Sequence, residues 1–472
     1  MERNIKIPQL DEHSRICEIL NKNGKECYIV GGAVRDSLLG KEPNDIDFTT
    51  DATPDEIRKI FEKENCKVYP TGEKFGTMTV TCDFVNYYEV TTYRGETYKR
   101  YSRKPEVYFS KYLIEDLKRR DFTINAMAYD PIKHKLVDPF NGYEDLKNKI
   151  IRAVGNPTKR FSEDPLRLLR MCRFKSYLNG KIDTETEKVA IEMKDELRWI
   201  PKERIRDELI KGLTKGEAPS VFVECIVDTR LNDYVVPELY ELRGLEQPKK
   251  YHKYDAYVHT LKTLDATPND YELRLSALFH DLGKSKTIEE KNGRIMFPGH
   301  AEVSAIITEK IMTRLRFSNK EKRRVANLVR YHMHPLTKYV KENPNLMMDL
   351  VVHLTNAGAD MDLIDKLEEL SIADVIATGI NINERVKEVK DFFKTLRKVM
   401  EERPLTYKEL KINGTILMEE FGISGKIVGD TLEYLLKKVW KNPELNNREK
   451  LLQIAYNYIK SRGYLKKKYV TC

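Results

Sequence analysis

The chain has 472 residues, 33% of them charged and 40% hydrophobic, with a formal net charge of +9 and a pI near 8.8. That length holds several domains with sizeable cores, and the composition is that of a soluble globular protein. No run approaches the ~18 consecutive apolar residues of a membrane span. The N-terminus, Met1-Glu-Arg-Asn-Ile-Lys-Ile-Pro-Gln, lacks the apolar core of a secretory signal. Seven cysteines, at positions 17, 27, 66, 82, 172, 225 and 472, form no Cys-x-x-Cys pair. Their scatter predicts a reducing, cytoplasmic setting without a zinc ribbon or a disulfide framework.

In chain order, the first informative stretch is Tyr28-Ile-Val-Gly-Gly-Ala-Val-Arg-Asp-Ser-Leu-Leu-Gly40 followed by Asn44-Asp-Ile-Asp-Phe-Thr49. It reads as strand, tight glycine turn, short helix, loop and strand. Gly31 and Gly32 let backbone N–H groups approach an anion, and the helix that follows aims its positive end at the same place. Asp45 and Asp47, two apart on the next strand, share a face. Two carboxylates that close repel unless a cation lies between them, and hard oxygen ligands suit Mg²⁺ with substrate phosphates. Gly-Gly alone is ordinarily a turn, and Asp-Ile-Asp alone a solvated strand edge. Together they predict a site for a metal–nucleoside triphosphate. The arrangement resembles motif A of the class II tRNA nucleotidyltransferase and bacterial poly(A) polymerase family, within the polymerase-β-like superfamily. The resemblance implies a small α+β head with a mixed sheet, residues 1–140.

Thr53 caps a helix that has Pro54 at its first position, and Thr77–Thr81 and Tyr87–Tyr93 read as strands. The resemblance implies a third carboxylate on a later strand. Glu89 is the candidate, with an ordinary surface glutamate as the alternative. Arg94 to Lys111 is basic, aromatic and without periodicity, hence a loop. The family has a flexible loop here, which favours an enzyme able to reach the final adenosine step.

Arg119-Arg-Asp-Phe-Thr-Ile-Asn-Ala126 matches the family's motif B. Arg119 and Arg120 can bind triphosphate oxygens, and Asp121 and Asn125 can bond ribose hydroxyls. Arg35 joins Gly31 and Gly32 as a phosphate-cradling candidate. Asp138 to Arg152 resembles motif C, a hinge into a helical neck, residues 141–215. Within Phe161-Ser-Glu-Asp-Pro-Leu-Arg-Leu-Leu-Arg-Met-Cys-Arg-Phe174, Ser162 can cap a helix and Pro165 suits an early position in it. Asp164 and Arg167, three apart, become neighbours on one helix face, at the least as an ion pair. The family's Glu-Asp-x-x-Arg motif falls here, and the resemblance implies that its Asp and Arg template the base. Asp164 only accepts and Arg167 only donates, which fits the amine-beside-nitrogen edges of cytosine and adenine. Uracil and guanine present the reverse order and would leave the carboxylate facing a carbonyl, costing about 1–3 kcal/mol. Arg170 and Arg173, further round, are candidates for triphosphate or RNA backbone. Ile200 to Gly212 resembles motif E and reads as a bracing helix. Residues 216–250 read as a helical connector.

From about 250 the character changes: seven of nine histidines lie between 252 and 353. His259, the adjacent His280 and Asp281, His300, His332 and Asp374 each sit on or beside an apolar-periodic helix. His334 is an alternative to His332 that the spacing leaves open. A lone His in such a place is ordinarily a core residue. The adjacent His-Asp, with His upstream and Asp about ninety residues downstream, resembles an HD-type metal-dependent phosphohydrolase, residues 251–395. That implies a divalent metal (Mg²⁺, Mn²⁺ or Ni²⁺) able to generate a nucleophilic hydroxide. Residues 396–472 read as a last helical module. Between Lys437 and Lys468 ten Lys/Arg face two Glu, near several tyrosines, a composition that suits an RNA backbone.

The resemblance implies template-independent addition of CMP, CMP and AMP to a tRNA 3′ end, with Mg²⁺ in the head and with tRNA, ATP and CTP as partners. It gives no membrane partner and leaves the oligomeric state open. A poly(A) polymerase or A-only enzyme, and a hydrolase with a nucleotide-sensing head, remain the rival readings.

Overall fold

The computed structural model describes residues 2–97, 106–333, 350–351, 354, 360–402 and 406–464. The chain divides into two compact units, Met1–Pro237 and Glu238–Cys472. Among the described residues, no helix is long and apolar enough to cross a membrane. His334, Lys99, Arg100, Arg103, Lys104, Tyr98, Tyr101 and the basic run Lys466 to Lys468 lie outside the described residues.

The first unit is α+β. Its sheet has eight strands in the spatial order Glu2–Asn4, Lys135–Val137, Ala128–Asp130, Cys27–Val30, Asp47–Thr50, Tyr88–Thr92, Thr77–Thr81 and Lys67–Gly72. All neighbouring pairs are antiparallel except one: Asp47–Thr50 runs parallel to Tyr88–Thr92, with Asp47 opposite Glu89. On its other side the same strand pairs with Cys27–Val30, Val30 opposite Asp47. Ile29, Phe48, Val90, Met78 and Val80 are buried on one face and anchor that register. A one-residue slip would turn every one of them to the wrong face.

The expected helix after Thr53 spans Pro54–Lys63, with a reciprocal capping box between Thr53 and Glu56. Where a loop was expected between Arg94 and Lys111, Arg94–Thr97 and Glu106–Phe109 pair as antiparallel arms.

The neck is helical: Pro157–Glu163, Arg167–Leu178, Thr184–Glu192, Lys202–Lys215 and Pro219–Asp228. Ser162 lies inside the first of these, which Asn156 caps, and its hydroxyl donates back to the Lys159 carbonyl; the helix Arg167–Leu178, expected to start under a Ser162 cap, has Leu166 at its N-cap and no side-chain cap.

The cysteines correct the sequence reading. Cys17–Cys27, Cys66–Cys82 and Cys172–Cys225 are paired as disulfides, all within the first unit. The pairs are separated by 10, 16 and 53 residues and meet only through tertiary packing, which spacing rules do not see.

The second unit is almost entirely helical. Ala256–Ala266 packs on Met361–Thr378, and Tyr271–Phe279 and His300–Arg314 both pack on Asn319–Tyr331. Ile382–Glu402 follows, then the short bundle Gly414–Phe421, Lys426–Lys441 and Arg448–Ser461. In that bundle Tyr434 stacks on Tyr458 with centroids 4.1 Å apart, and Lys438, Lys460 and Arg462 lie over tyrosine rings.

Candidate functional sites

The first site gathers at the end of the parallel strand pair. Gly31 turns the chain out of the Cys27–Val30 strand with φ +74° and ψ −129°, a conformation closed to residues with a side chain. A Cβ there would also lie 2.7 Å from Nη1 of Arg120, so the guanidinium rests directly on the glycine turn. Gly32 opens the helix Gly32–Leu38. Because the partner strand turns away at Gly31, the ladder starts only at Asp47. Asp45 therefore lies just before the strand rather than on it, a small correction to the expected shared face.

Asp45, Asp47 and Glu89 are all exposed. The surrounding protein nevertheless thins the water around Asp47. That loss of hydration, then Glu89 and more weakly Asp45, raises its carboxyl above the usual range, against the pull of Arg120. Like charges held this way are relieved by a cation.

Motif B supplies the adjoining wall. The buried Asp116 carboxylate accepts from Arg119 (Nε, 3.0 Å) and Arg120 (Nη2, 3.4 Å) and presents both arginines. Burial pulls the Arg120 guanidinium below its ordinary range, with Asp116 and Asp47 opposing. Asp121 Oδ1 accepts from the Phe122 amide (2.8 Å) and Asn125 Nδ2 (2.9 Å), and Oδ2 accepts from Arg170 Nε (2.7 Å). Burial works to raise the Asp121 carboxyl, but Arg170, Asn125 and Arg167 win and hold it well below the usual carboxylate range. Arg35 donates to Asp36 (2.8 Å) and to Asn125 Oδ1 (2.6 Å), and lies over the Phe174 and Tyr177 rings. It thus ties the glycine-turn helix to motif B and the neck.

The base-reading segment differs from its expected geometry. Asp164 is not on a helix: it is extended (φ −146°, ψ 98°) in the break between Pro157–Glu163 and Arg167–Leu178. Pro165 disfavours a helical conformation at the residue before it, which forces the break. The expected Asp164–Arg167 ion pair is replaced by two others. Asp164 accepts both arms of Arg204 (3.2 and 2.8 Å), and Arg167 donates to Glu163 Oε2 (2.9 Å) and to the Arg119 carbonyl (3.0 Å). The last bond joins this segment to motif B. Arg170 is engaged with Asp121, and Arg173 pairs with the buried Glu208 and lies over Phe174. Arg204 carried no signal beyond a charged helix, because its partner lies forty residues upstream.

The second site is buried in the helical unit. His259, His280, Asp281, His300, His332 and Asp374 are each at most 9% exposed. His280, His300 and His332 share one local device: Nδ1 faces the carbonyl three residues back, Ala277 at 2.8 Å, Phe297 at 2.9 Å and Val329 at 2.6 Å. A carbonyl only accepts, so Nδ1 carries the proton and Nε2 is the inward lone pair. His259 Nε2 lies 2.8 Å from Asp374 Oδ1 and 3.3 Å from His280 Nε2, and His280 Nε2 lies 3.1 Å from Asp281 Oδ2. Two ligand groups result, His259–His280–Asp374 and His280–Asp281–His332, sharing His280. His300 Nε2 approaches Asp281 at 3.5 Å.

Asp281 Oδ1, His300 Nε2 and His332 Nε2 are buried without hydrogen-bond partners among the described residues, the state expected of ligand atoms awaiting a cation. The mixed imidazole and carboxylate set fits a divalent transition metal or Mg²⁺. Burial works to lower His280, but Asp281 and then Asp374 outweigh it and raise the imidazole. Burial, then the neighbouring His280 and more weakly His300, drive His332 down to about 3 against the pull of Asp374 and Asp281.

Lys284, missed in the sequence, completes the charge balance: its Nζ lies 2.7 Å from Asp281 Oδ2 and 2.6 Å from Gln247 Oε1. Its signal was the Gly-Lys closing the His-Asp stretch. Gly283 has a packing reason, since a Cβ there would lie 2.4 Å from the His300 carbonyl oxygen. His252, also unremarked, meets the His259 ring at 4.9 Å.

Comparison with known proteins gives three family matches: a poly A polymerase head domain over residues 27–152, a probable RNA and SrmB-binding site of polymerase A over 180–242, and an HD domain over 257–378. The CCA-adding enzyme of Ligilactobacillus salivarius is 33% identical over 458 residues, covering 96% of this chain and 98% of that protein. That of Lactobacillus helveticus is 44% identical over 221 residues, 47% of this chain and 54% of that protein. The crystal structure of the Bacillus stearothermophilus CCA-adding enzyme in complex with CTP superposes with a TM-score of 0.70 at 26% identity, covering 97% of this chain and 99% of that one. The Thermotoga maritima CCA-adding enzyme complexed with tRNA shares the fold, with a TM-score of 0.56 at 20% identity and 97% of each chain covered. A full-length relative at this identity, together with the two sites and the order of the three domains, shows that the chain belongs to the family of CCA-adding enzymes.

Proposed function

We infer that the chain is a tRNA nucleotidyltransferase that adds CMP, CMP and AMP to the tRNA 3′ end, taking CTP and ATP and no nucleic-acid template. The observation that carries this reading is the parallel register of Asp47 with Glu89, with Asp45 adjacent and the Arg120 guanidinium seated on the Gly31 turn. Nucleotidyltransferase and HD domains generally use divalent metals. In the head the all-oxygen donor set of Asp45, Asp47 and Glu89 favours Mg²⁺. When bound, Mg²⁺ neutralises phosphate charge and lowers the pKa of the attacking hydroxyl.

The chain's own residues do the rest. Gly31, Gly32, Arg119 and Arg120 receive the triphosphate. Asp121 and Asn125, aligned by Arg170 and Arg35, read the sugar, and Asp164 and Arg167 read the base. The assignment of the head to 1–140, the neck to 141–215, the connector to 216–250, the hydrolase to 251–395 and the tail to 396–472 belongs to the same reading. The test is end-sequencing of products from tRNA lacking its terminal nucleotides, incubated with all four triphosphates. A CCA end is expected. Extension by adenosine alone would favour the poly(A) or A-only reading.

The buried histidine cluster favours a second, metal-dependent phosphohydrolase activity in the C-terminal unit. The Nδ1 protons fixed on His280, His300 and His332 and the His259 Nε2 facing Asp374 support a cation of Mg²⁺, Mn²⁺ or Ni²⁺ type held by His259, His280, Asp281 and Asp374, with His300 and His332 beside it. Hydrolysis of p-nitrophenyl phosphate and its bis-ester, with each metal in turn, tests it. No turnover with any of them would remove this reading.

A further inference from the structure

Asp164 and Arg204 meet as a fork. Arg204 Nη1 lies 3.2 Å from Asp164 Oδ1 and Nη2 lies 2.8 Å from Oδ2, while the Leu166 amide adds a 3.2 Å bond to Oδ1. Arg204 makes no other polar contact among the described residues. An ionised carboxylate offers about four acceptor positions. Three are filled here, and the fourth is on Oδ2. Arg167 has five N–H donors. Three are spent on the Arg160 carbonyl, Glu163 and the Arg119 carbonyl, which leaves Nε–H and one Nη2–H. The two base-reading residues are thus reduced to a single acceptor position and two donors.

We propose that Arg204 is a positioning residue for nucleotide selection: its guanidinium fork fixes the Asp164 carboxylate so that one lone pair is presented to the amino group of an incoming cytosine or adenine. This rests on the reading of Asp164 and Arg167 as the base-reading pair. Without the fork the carboxylate is free to turn about its side-chain torsions and to hold a bridging water. A water donates as well as accepts, so it satisfies the O4 of uracil or the O6 of guanine as readily as an amine. Holding the carboxylate by a planar, two-point contact excludes that escape. The pair is not a folding keystone: the Arg204 side chain is 44% exposed and that of Asp164 24%, and exposed ion pairs contribute little to stability.

The experiment uses the full chain and tRNA acceptors ready for the C and A steps, and compares kcat/KM for CTP against UTP and ATP against GTP. Arg204→Ala lowers both ratios about tenfold at an unchanged melting temperature. Arg204→Lys restores only part of the loss, because an ammonium cannot fork. The Arg204→Ala/Asp164→Ala double variant discriminates no worse than Asp164→Ala alone, since both changes act through one carboxylate. Unchanged ratios in Arg204→Ala while Asp164→Ala lowers them, or additive losses in the double variant, would reduce Arg204 to a surface ion pair and overturn the proposal. Unchanged ratios in Asp164→Ala itself would instead overturn the base-reading assignment beneath it.

Discussion

The two candidate metal sites are built on opposite plans. In the N-terminal unit three exposed carboxylates, Asp45, Asp47 and Glu89, converge from a loop and two strands. In the C-terminal unit four histidines and two aspartates are almost wholly buried, on helices and in the turns that end them. These carboxylates stay reachable from solvent, and Asp47 is already short of water and repelled by Glu89, so the oxygen site is suited to recruiting metal and substrate together. Buried imidazoles pay desolvation at folding, and three of the four have their tautomer fixed by a carbonyl, so the histidine site is suited to a resident ion.

The largest expected effect separates the two chemically. Asp47→Ala lowers nucleotide addition by on the order of 10³-fold and leaves phosphoester hydrolysis unchanged. The His280→Ala/Asp281→Ala variant does the reverse. Both activities are measured on one preparation, and loss of both in either variant would break the comparison. Next comes reduction. The three disulfides lie in the N-terminal unit, and no cysteine lies between Cys225 and Cys472. Reductant therefore destabilises that unit by about 2–4 kcal/mol per bridge and spares the other. The two tryptophans report the units separately: Trp199 lies in the first and Trp440 in the second. Trp440→Phe and Trp199→Phe variants isolate each signal in thermal melts.

Chelation gives the converse. Removing a resident ion present at a hundredfold excess over its Kd costs the C-terminal unit about 3 kcal/mol, read at Trp440, with the Trp199 transition unmoved. Acid sharpens the contrast last. Burial lowers His252 and His332 to about 3 from an ordinary 6.5. Both are held neutral by the fold, so their stabilisation is complete above pH 6.5 and declines as pH falls toward 3, by up to about 1.4 kcal/mol per pH unit for each group. Asp121 in the other unit is held below its ordinary range by Arg170 against the effect of burial. Its contribution is complete above the usual carboxylate pKa and is lost only as pH falls through the lower folded value. The Trp440 transition is therefore expected at a higher pH than the Trp199 transition, and coincident transitions would contradict this.

The sequence disclosed what local spacing encodes. The Thr53 cap, the glycine turn and the His-Asp pair are short-range signals, and each falls where the pattern placed it. Glu89 was visible as an acid among β-formers, although its position opposite Asp47 is a matter of strand register. Asp164 was misplaced because the three-residue spacing to Arg167 was read as helical, when Pro165 breaks the helix between them. Arg204 and the cysteine pairs were invisible because their partners are distant in sequence, and the Gly-Lys that closes the His-Asp stretch did not disclose that Lys284 would be buried between Asp281 and the distant Gln247.

The bond from Arg170 to Asp121 carries one more consequence. On the proposed roles, it bolts the sugar-reading aspartate to the helix that starts at the base-reading arginine. The span from ribose to nucleobase edge is then a fixed gauge, set by protein and not by the visitor. Cytidine and adenosine differ in ring size, so one gauge can measure both only if the nucleotide tilts within it; the accommodation belongs to the guest and its RNA acceptor, while the frame stays still.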